Sequence, residues 1–191
     1  QTSFQSMGDG GEYQSIERLD LRTGSGNDTI VDFASTALND AIRTGGGNDT
    51  VTSNGGNDLL DGGAGIDGLS LLRTGSASNE TVNITNSATV NLLSDGTTLT
   101  GFERFVLLRT GSGNDMLTGG ALNDVIESGA GNDILDGQGG SDRLAGNGGN
   151  DTFRYFADGV WTGGFVAYNA GSPGNPGTGL TAAIVGKNRS F

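Results

Sequence analysis

The sequence predicts an all-β chain wound as a solenoid, on the strength of three observations. Residues 110 to 154 divide without remainder into five nonapeptides, TGSGNDMLT, GGALNDVIE, SGAGNDILD, GQGGSDRLA and GNGGNDTFR. Five more stand nearer the start: TGSGNDTIV opens at Thr23, and STALNDAIR, TGGGNDTVT, SNGGNDLLD and GGAGIDGLS run in register from Ser35 to Ser70. Finally, Gly makes up 37 of 191 residues with only 2 Pro and no period of three, which excludes a collagen-like chain. Aromatic residues, at 6%, are too few for a large globular core, so the core must be thin and repetitive.

Within each nonad the sixth residue is Asp: Asp28, Asp40, Asp49, Asp58 and Asp67 in the first array, and Asp115, Asp124, Asp133, Asp142 and Asp151 in the second. The eighth is always apolar: Ile30, Ile42, Val51, Leu60, Leu69, Leu117, Ile126, Leu135, Leu144 and Phe153. Ten apolar residues in ten places, in a chain that is 33% hydrophobic, mark a core-facing position. The Gly-rich first half suits a tight turn, and the last three residues suit a short strand whose middle side chain points inward.

This pattern, G-G-x-G-x-D-x-U-x with U a large apolar residue, resembles the calcium-binding repeats of the RTX (repeats-in-toxin), hemolysin-type proteins. The resemblance implies a parallel β-roll, a right-handed solenoid in which two nonads make one coil of eighteen residues with a turn on either side. It also implies calcium between the turns of successive coils. The ligands it designates are the ten sixth-position Asp residues together with the loops of Gly24, Gly26, Gly45, Gly47, Gly62, Gly65, Gly111, Gly113, Gly129 and Gly131.

Five segments follow in order. Residues 1–22 lead in, with loose alternation at Ser15-Ile16-Glu17-Arg18-Leu19-Asp20-Leu21-Arg22. Residues 23–70 form the first array, interrupted by three extra residues, Asp32-Phe33-Ala34. Residues 71–109 lose the Gly-rich turns but keep period-two apolar spacing at Val82 and Ile84, Val90 and Leu92, and Leu99, so irregular rungs of the same solenoid are expected. An inserted loop that leaves the roll is the alternative. Gly101 to Arg109 repeats the lead-in and a damaged copy starts at Leu71, so the chain is duplicated above the scale of the nonad. Residues 110–156 hold the second array. Residues 157–191 carry Trp161, Phe165 and Tyr168, read as a cap for the open end, and the Gly171 to Gly177 stretch, read as a flexible linker.

The net charge is −12, from 22 acidic and 10 basic residues. Coils eighteen residues apart stack at ~4.8 Å, which brings the sixth-position carboxylates together. Each such pair is destabilised by about 1 kcal/mol or more unless a cation intervenes. Calcium suits carboxylates and backbone carbonyls with flexible geometry, whereas zinc and copper favour His or Cys, and the chain has neither. Pairs eighteen residues apart give about five sites. Asp28 is displaced from that spacing by the insertion, and Glu80 lies in a degenerate turn without Gly at the fourth position.

The acidic balance argues against nucleic acid and anionic membrane surfaces as partners, and no apolar run has the length of a membrane span. Without His, a Ser-His-Asp triad and an H-E-x-x-H zinc helix are excluded, and no G-x-S-x-G elbow occurs. No enzymatic role is expected. The resemblance implies a module of a secreted, extracellular or cell-surface protein exported by type I secretion and folding on calcium outside the cell. A start at Gln1 suggests a processed or excised chain. The alternatives are surface assembly, as an adhesin stalk, surface-layer or filament subunit that self-associates through solenoid ends, and the non-catalytic module of a secreted hydrolase or epimerase. Arg22, Arg43, Arg73 and Arg109, each before Thr-Gly, read as duplication remnants that are solvated or neutralise acidic turns.

Overall fold

The computed structural model describes residues 18–31 and 38–155, together with the backbone of short strands at Gln5–Ser6, Glu12–Tyr13, Val166–Tyr168 and Thr181–Ile184. The cap read at Trp161, the linker at Gly171 to Gly177 and the insertion at Asp32-Phe33-Ala34 lie outside the described residues. Among the described residues there is no helix, and most strands pair in parallel, so the fold is the all-β, parallel solenoid that the repeat predicts.

Each array strand is the end of one nonad. One sheet runs the length of the roll: Thr29–Val31, Thr50–Ser53, Gly68–Leu72, Arg104–Arg109, Val125–Glu127, Arg143–Ala145 and Val166–Tyr168. The other side is divided. Over the first array lie Asp20–Arg22, Ala41–Arg43, Leu59–Asp61 and Thr98–Thr100, and over the second lie Thr81–Asn83, Met116–Thr118, Ile134–Asp136, Thr152–Tyr155 and Thr181–Ile184. Partners within an array are eighteen residues apart, as in Ile42 with Leu60 and Leu117 with Leu135. Across the insertion the offset is 21, Thr29 with Thr50, so the coil lengthens while the register holds.

Residues 71–109 supply rungs to both sides. Thr98–Thr100 pairs in parallel with Leu59–Asp61, Thr81–Asn83 with Met116–Thr118, and Arg104–Arg109 with Gly68–Leu72. Asn91–Leu92 folds back antiparallel on Thr98–Thr100 and leaves Val90 and Leu92 exposed. A bulge between Phe105 and Leu107 absorbs Val106, so that Phe105 and Leu108, three residues apart, both point inward beside Leu69 and Leu71.

All ten eighth-position residues are buried, and with Leu71, Val82, Ile84, Leu93, Leu99, Phe102, Phe105 and Leu108 they form one continuous core. Each such side chain stabilises the roll by about 1.5–3 kcal/mol relative to exposure. The larger side chains of 71–109 fill the junction where the second side changes from one sheet to the next.

Candidate metal centre

The turns that join the strands are shaped by backbone conformation. At the fourth position Gly47, Gly65, Gly131 and Gly149 have φ between 123° and 147°, a left-handed region that penalises any Cβ. Stacking is as restrictive. A Cβ on Gly65 would collide with the Gly47 carbonyl oxygen one coil below, and one on Gly131 with the Gly113 carbonyl oxygen. The designated glycines Gly45, Gly111, Gly113 and Gly129 lie over carbonyl oxygens in the same way, and Gly62 lies against Gly101. Gly24 and Gly26 have open space on this test, but their own carbonyl oxygens lie beneath Gly45 and Gly47.

The sixth-position carboxylates form columns held by one repeated bond. The N–H of each Asp donates to Oδ1 of the Asp in the next coil: Asp40 to Asp58 (2.9 Å), Asp49 to Asp67 (2.8 Å), Asp115 to Asp133 (2.8 Å), Asp133 to Asp151 (3.0 Å) and Asp124 to Asp142 (2.9 Å). Asp28 stays in its column despite the longer coil, donating to Asp49 Oδ1 at 2.7 Å. At the junction the same bond is made by stand-ins: Asp67 donates to Glu103 Oε2, Asp58 to Thr97 Oγ1, and Glu80 to Asp115 Oδ1.

A second column of opposite polarity runs beside the first. Asn Oδ1 at the fifth position accepts the N–H of the next coil, as in Asn27 from Asn48, Asn114 from Asn132, and Asn132 from Asn150. The sequence reading missed this role, although eight of ten nonads carry Asn there. Ile66 and Ser141 occupy the two exceptions, and each still donates downward, to Asn48 and Asn123.

The other carboxylate oxygen decides the chemistry. Oδ2 of Asp28, Asp49 and Asp67, and of Asp115, Asp133 and Asp151, is buried with no hydrogen-bond partner. A buried ionised oxygen without a partner is costly, and a column of them more so. Burial pushes the carboxyls of Asp67 and Asp133 up to about 6, with the neighbouring carboxylates adding to the shift. Asp124 rises to about 7 and Asp142 to about 6, again chiefly through burial. Asp40, Asp115 and Asp151 are raised by the same cause. These residues fit a hard divalent cation: each column stacks buried, unpartnered carboxylate oxygens in successive coils, among Gly-rich turns whose backbone carbonyls carry no side chain over them. Among the described residues no three carboxyl groups converge on a point, so such an ion takes several ligands from the backbone.

Other members of the columns are already satisfied. Asp58 Oδ2 accepts from Ser53 Oγ (2.6 Å) and from Arg73 Nη2 (3.2 Å), and Asp124 Oδ2 accepts the Gly120 N–H (2.8 Å). Glu80 is held by Ser76 Oγ and by Ser94 through both its N–H and its hydroxyl. Three of the four Arg residues before Thr-Gly neutralise acids: Arg43 pairs with Asp20, Arg109 with Glu127, and Arg73 with both Asp58 and Asp95.

Fold and turns together define a class, a parallel β-roll with stacked acidic turns. The family of RTX calcium-binding nonapeptide repeats matches residues 35–69, 107–129 and 118–153, in four copies. The matched segments of the two arrays are similar to these calcium-binding repeats, and they fold here as a parallel β-roll. No curated protein matches the chain.

Proposed function

We propose that calcium occupies the gaps within the columns Asp28, Asp49, Asp67 and Asp115, Asp133, Asp151, two gaps in each, and that binding it folds the roll. The unpartnered Oδ2 atoms carry this reading. The metal-free roll carries stacked buried carboxylates, and the cation converts their repulsion into cohesion between coils. The designated Gly turns supply carbonyl ligands on either side of each ion. Asp40 stacks on Asp58 and Asp124 on Asp142, outside these four gaps, and none of these four has an unpartnered Oδ2.

A chain that folds on calcium stays open where the ion is scarce and compacts where it is plentiful. That behaviour suits a secreted or cell-surface module exported unfolded, and the net charge of −12, which opposes compaction without a cation, agrees with it. The role is structural, because every carboxylate pair recurs with the repeat while a catalytic pair would be singular. Among the described residues no helix is long and apolar enough to cross a membrane.

Calorimetric titration tests the assignment. Calcium is expected to bind about four or more ions with magnesium unable to compete, and Asp133→Ala, which removes the ligand shared by two gaps, should lower both stoichiometry and affinity. Unchanged binding by that variant would refute the proposed ligand set.

A further inference from the structure

At Asp58 the column departs from its rule. The coil above offers Thr97 instead of Asp, so the Asp58 N–H donates to a hydroxyl at 3.2 Å, and Thr97 Oγ1 in turn donates to the Gly56 carbonyl at 2.8 Å. The second carboxylate that a divalent ion would need is missing. In its place lies the guanidinium of Arg73, whose side chain is 5% exposed. Its Nη2 donates to Asp58 Oδ2 (3.2 Å), Ser53 Oγ (3.2 Å) and Thr97 Oγ1 (3.0 Å), Nε to Asp95 Oδ2 (2.7 Å), and Nη1 to the Leu72 carbonyl (3.1 Å). Asp95 is itself oriented by accepting the Thr97 N–H at 2.8 Å.

We infer that Arg73 is a resident cation of the roll: at Asp58 it fills the place that calcium takes in the open columns, so the seam between the first array and the rungs of residues 71–109 closes without metal. The planar guanidinium meets five oxygens, two of them carboxylate, and it stays charged when buried. The contrast lies within one molecule. Asp49 and Asp67, one turn away, keep unpartnered Oδ2 atoms, whereas Asp58 does not. The seam also joins elements distant in sequence: Asp58 lies 15 residues from Arg73, and Thr97 lies 24 from it. A metal-independent seam would hold the rungs of residues 71–109 in register on the first array before either column fills. Asp58 therefore binds no calcium, and its column is not equivalent to the other two.

This inference rests on the calcium reading of the open columns, and hydrogen–deuterium exchange of the full chain separates the two. In chelator the amides of Asp58 and Thr98, the latter bonded to the Asp58 carbonyl, should exchange at least roughly tenfold more slowly than those of Asp115 and Asp133. Calcium should then protect Asp115 and Asp133 while changing the seam little. Arg73→Met should abolish the seam's protection in chelator, and Arg73→Lys should restore part of it. Seam amides that exchange in chelator as fast as Asp133, or protection that survives Arg73→Met, would overturn the inference and leave the calcium columns standing. Equal protection of Asp133 with and without calcium would instead remove the calcium reading on which it rests. Should Arg73→Met not fold, Asp58→Asn decides: it keeps the Oδ1 acceptor and must leave calcium stoichiometry unchanged while Asp133→Asn lowers it. A drop with Asp58→Asn contradicts a metal-free seam.

Discussion

Each turn residue is constrained from two directions, by its own backbone and by the coil beneath it. Gly131 combines φ of 134° with a Gly113 carbonyl oxygen where its Cβ would lie. Gly131→Ala should therefore destabilise the calcium-loaded roll by roughly 1–3 kcal/mol or more. Gly148 is the control, because its φ is not left-handed and its Cβ would meet nothing closer than 3.7 Å. Gly148→Ala should change stability by no more than about 0.5 kcal/mol. Urea unfolding of both variants in saturating calcium checks the pair. The second-position turn is less strict: Gln138 and Asn147 adopt φ near 60° there without being Gly.

The buried carboxyls also fix a pH dependence. Their ordinary value of 3.8 rises to about 6 at Asp67, Asp133 and Asp142 and about 7 at Asp124 in the folded roll. Between those limits the folded chain holds more protons than the unfolded one, so metal-free stability is greatest on the acid side and declines as pH rises towards 7. Calcium needs the ionised form, so the loaded roll has the opposite dependence and weakens as pH falls. Circular dichroism at pH 5 and pH 7.5 should show more β-structure at the lower pH in chelator and less at the lower pH in limiting calcium.

At the scale of the strand and the turn, the nonad register carried most of the information. The sixth and eighth positions mark the carboxylate columns and the core in the sequence itself, because one residue type recurs wherever the fold repeats one environment. Leu135 illustrates the consequence: it sits between Leu117 and Phe153 in the ladder, and Leu135→Ala should cost about 2–5 kcal/mol, measured by chemical unfolding in calcium. Glu80 and Asp28 were harder. The turn at Thr74 to Glu80 lacks the fourth-position Gly, yet it stacks beneath the second array, with Ser112 donating to the Ser76 carbonyl and Asn114 to Asn79 Oδ1. Asp28 keeps its column because parallel pairing fixes the strands and lets the connection lengthen. What could not be read was unique rather than repeated. The Phe105 bulge, the antiparallel Asn91–Leu92 strand and the Arg73 cluster each occur once, with partners set by tertiary contact, so no period announces them.

For the whole molecule, cohesion has three sources acting along one axis: a narrow apolar core, the Asp and Asn backbone ladders, and the proposed calcium columns. Core and ladders repeat in every coil, so stability accumulates through neighbours, as in other solenoids. Net charge opposes it. The decisive measurement is far-UV circular dichroism with hydrodynamic radius on the full chain, in chelator, in calcium and in magnesium at the same ionic strength. The account predicts an expanded chain with little β-structure outside the Arg73 seam in chelator and in magnesium, and cooperative compaction in calcium. A chain equally compact and β-rich in chelator and in calcium would contradict it, showing that core and ladders suffice and that the ion only decorates a roll already folded.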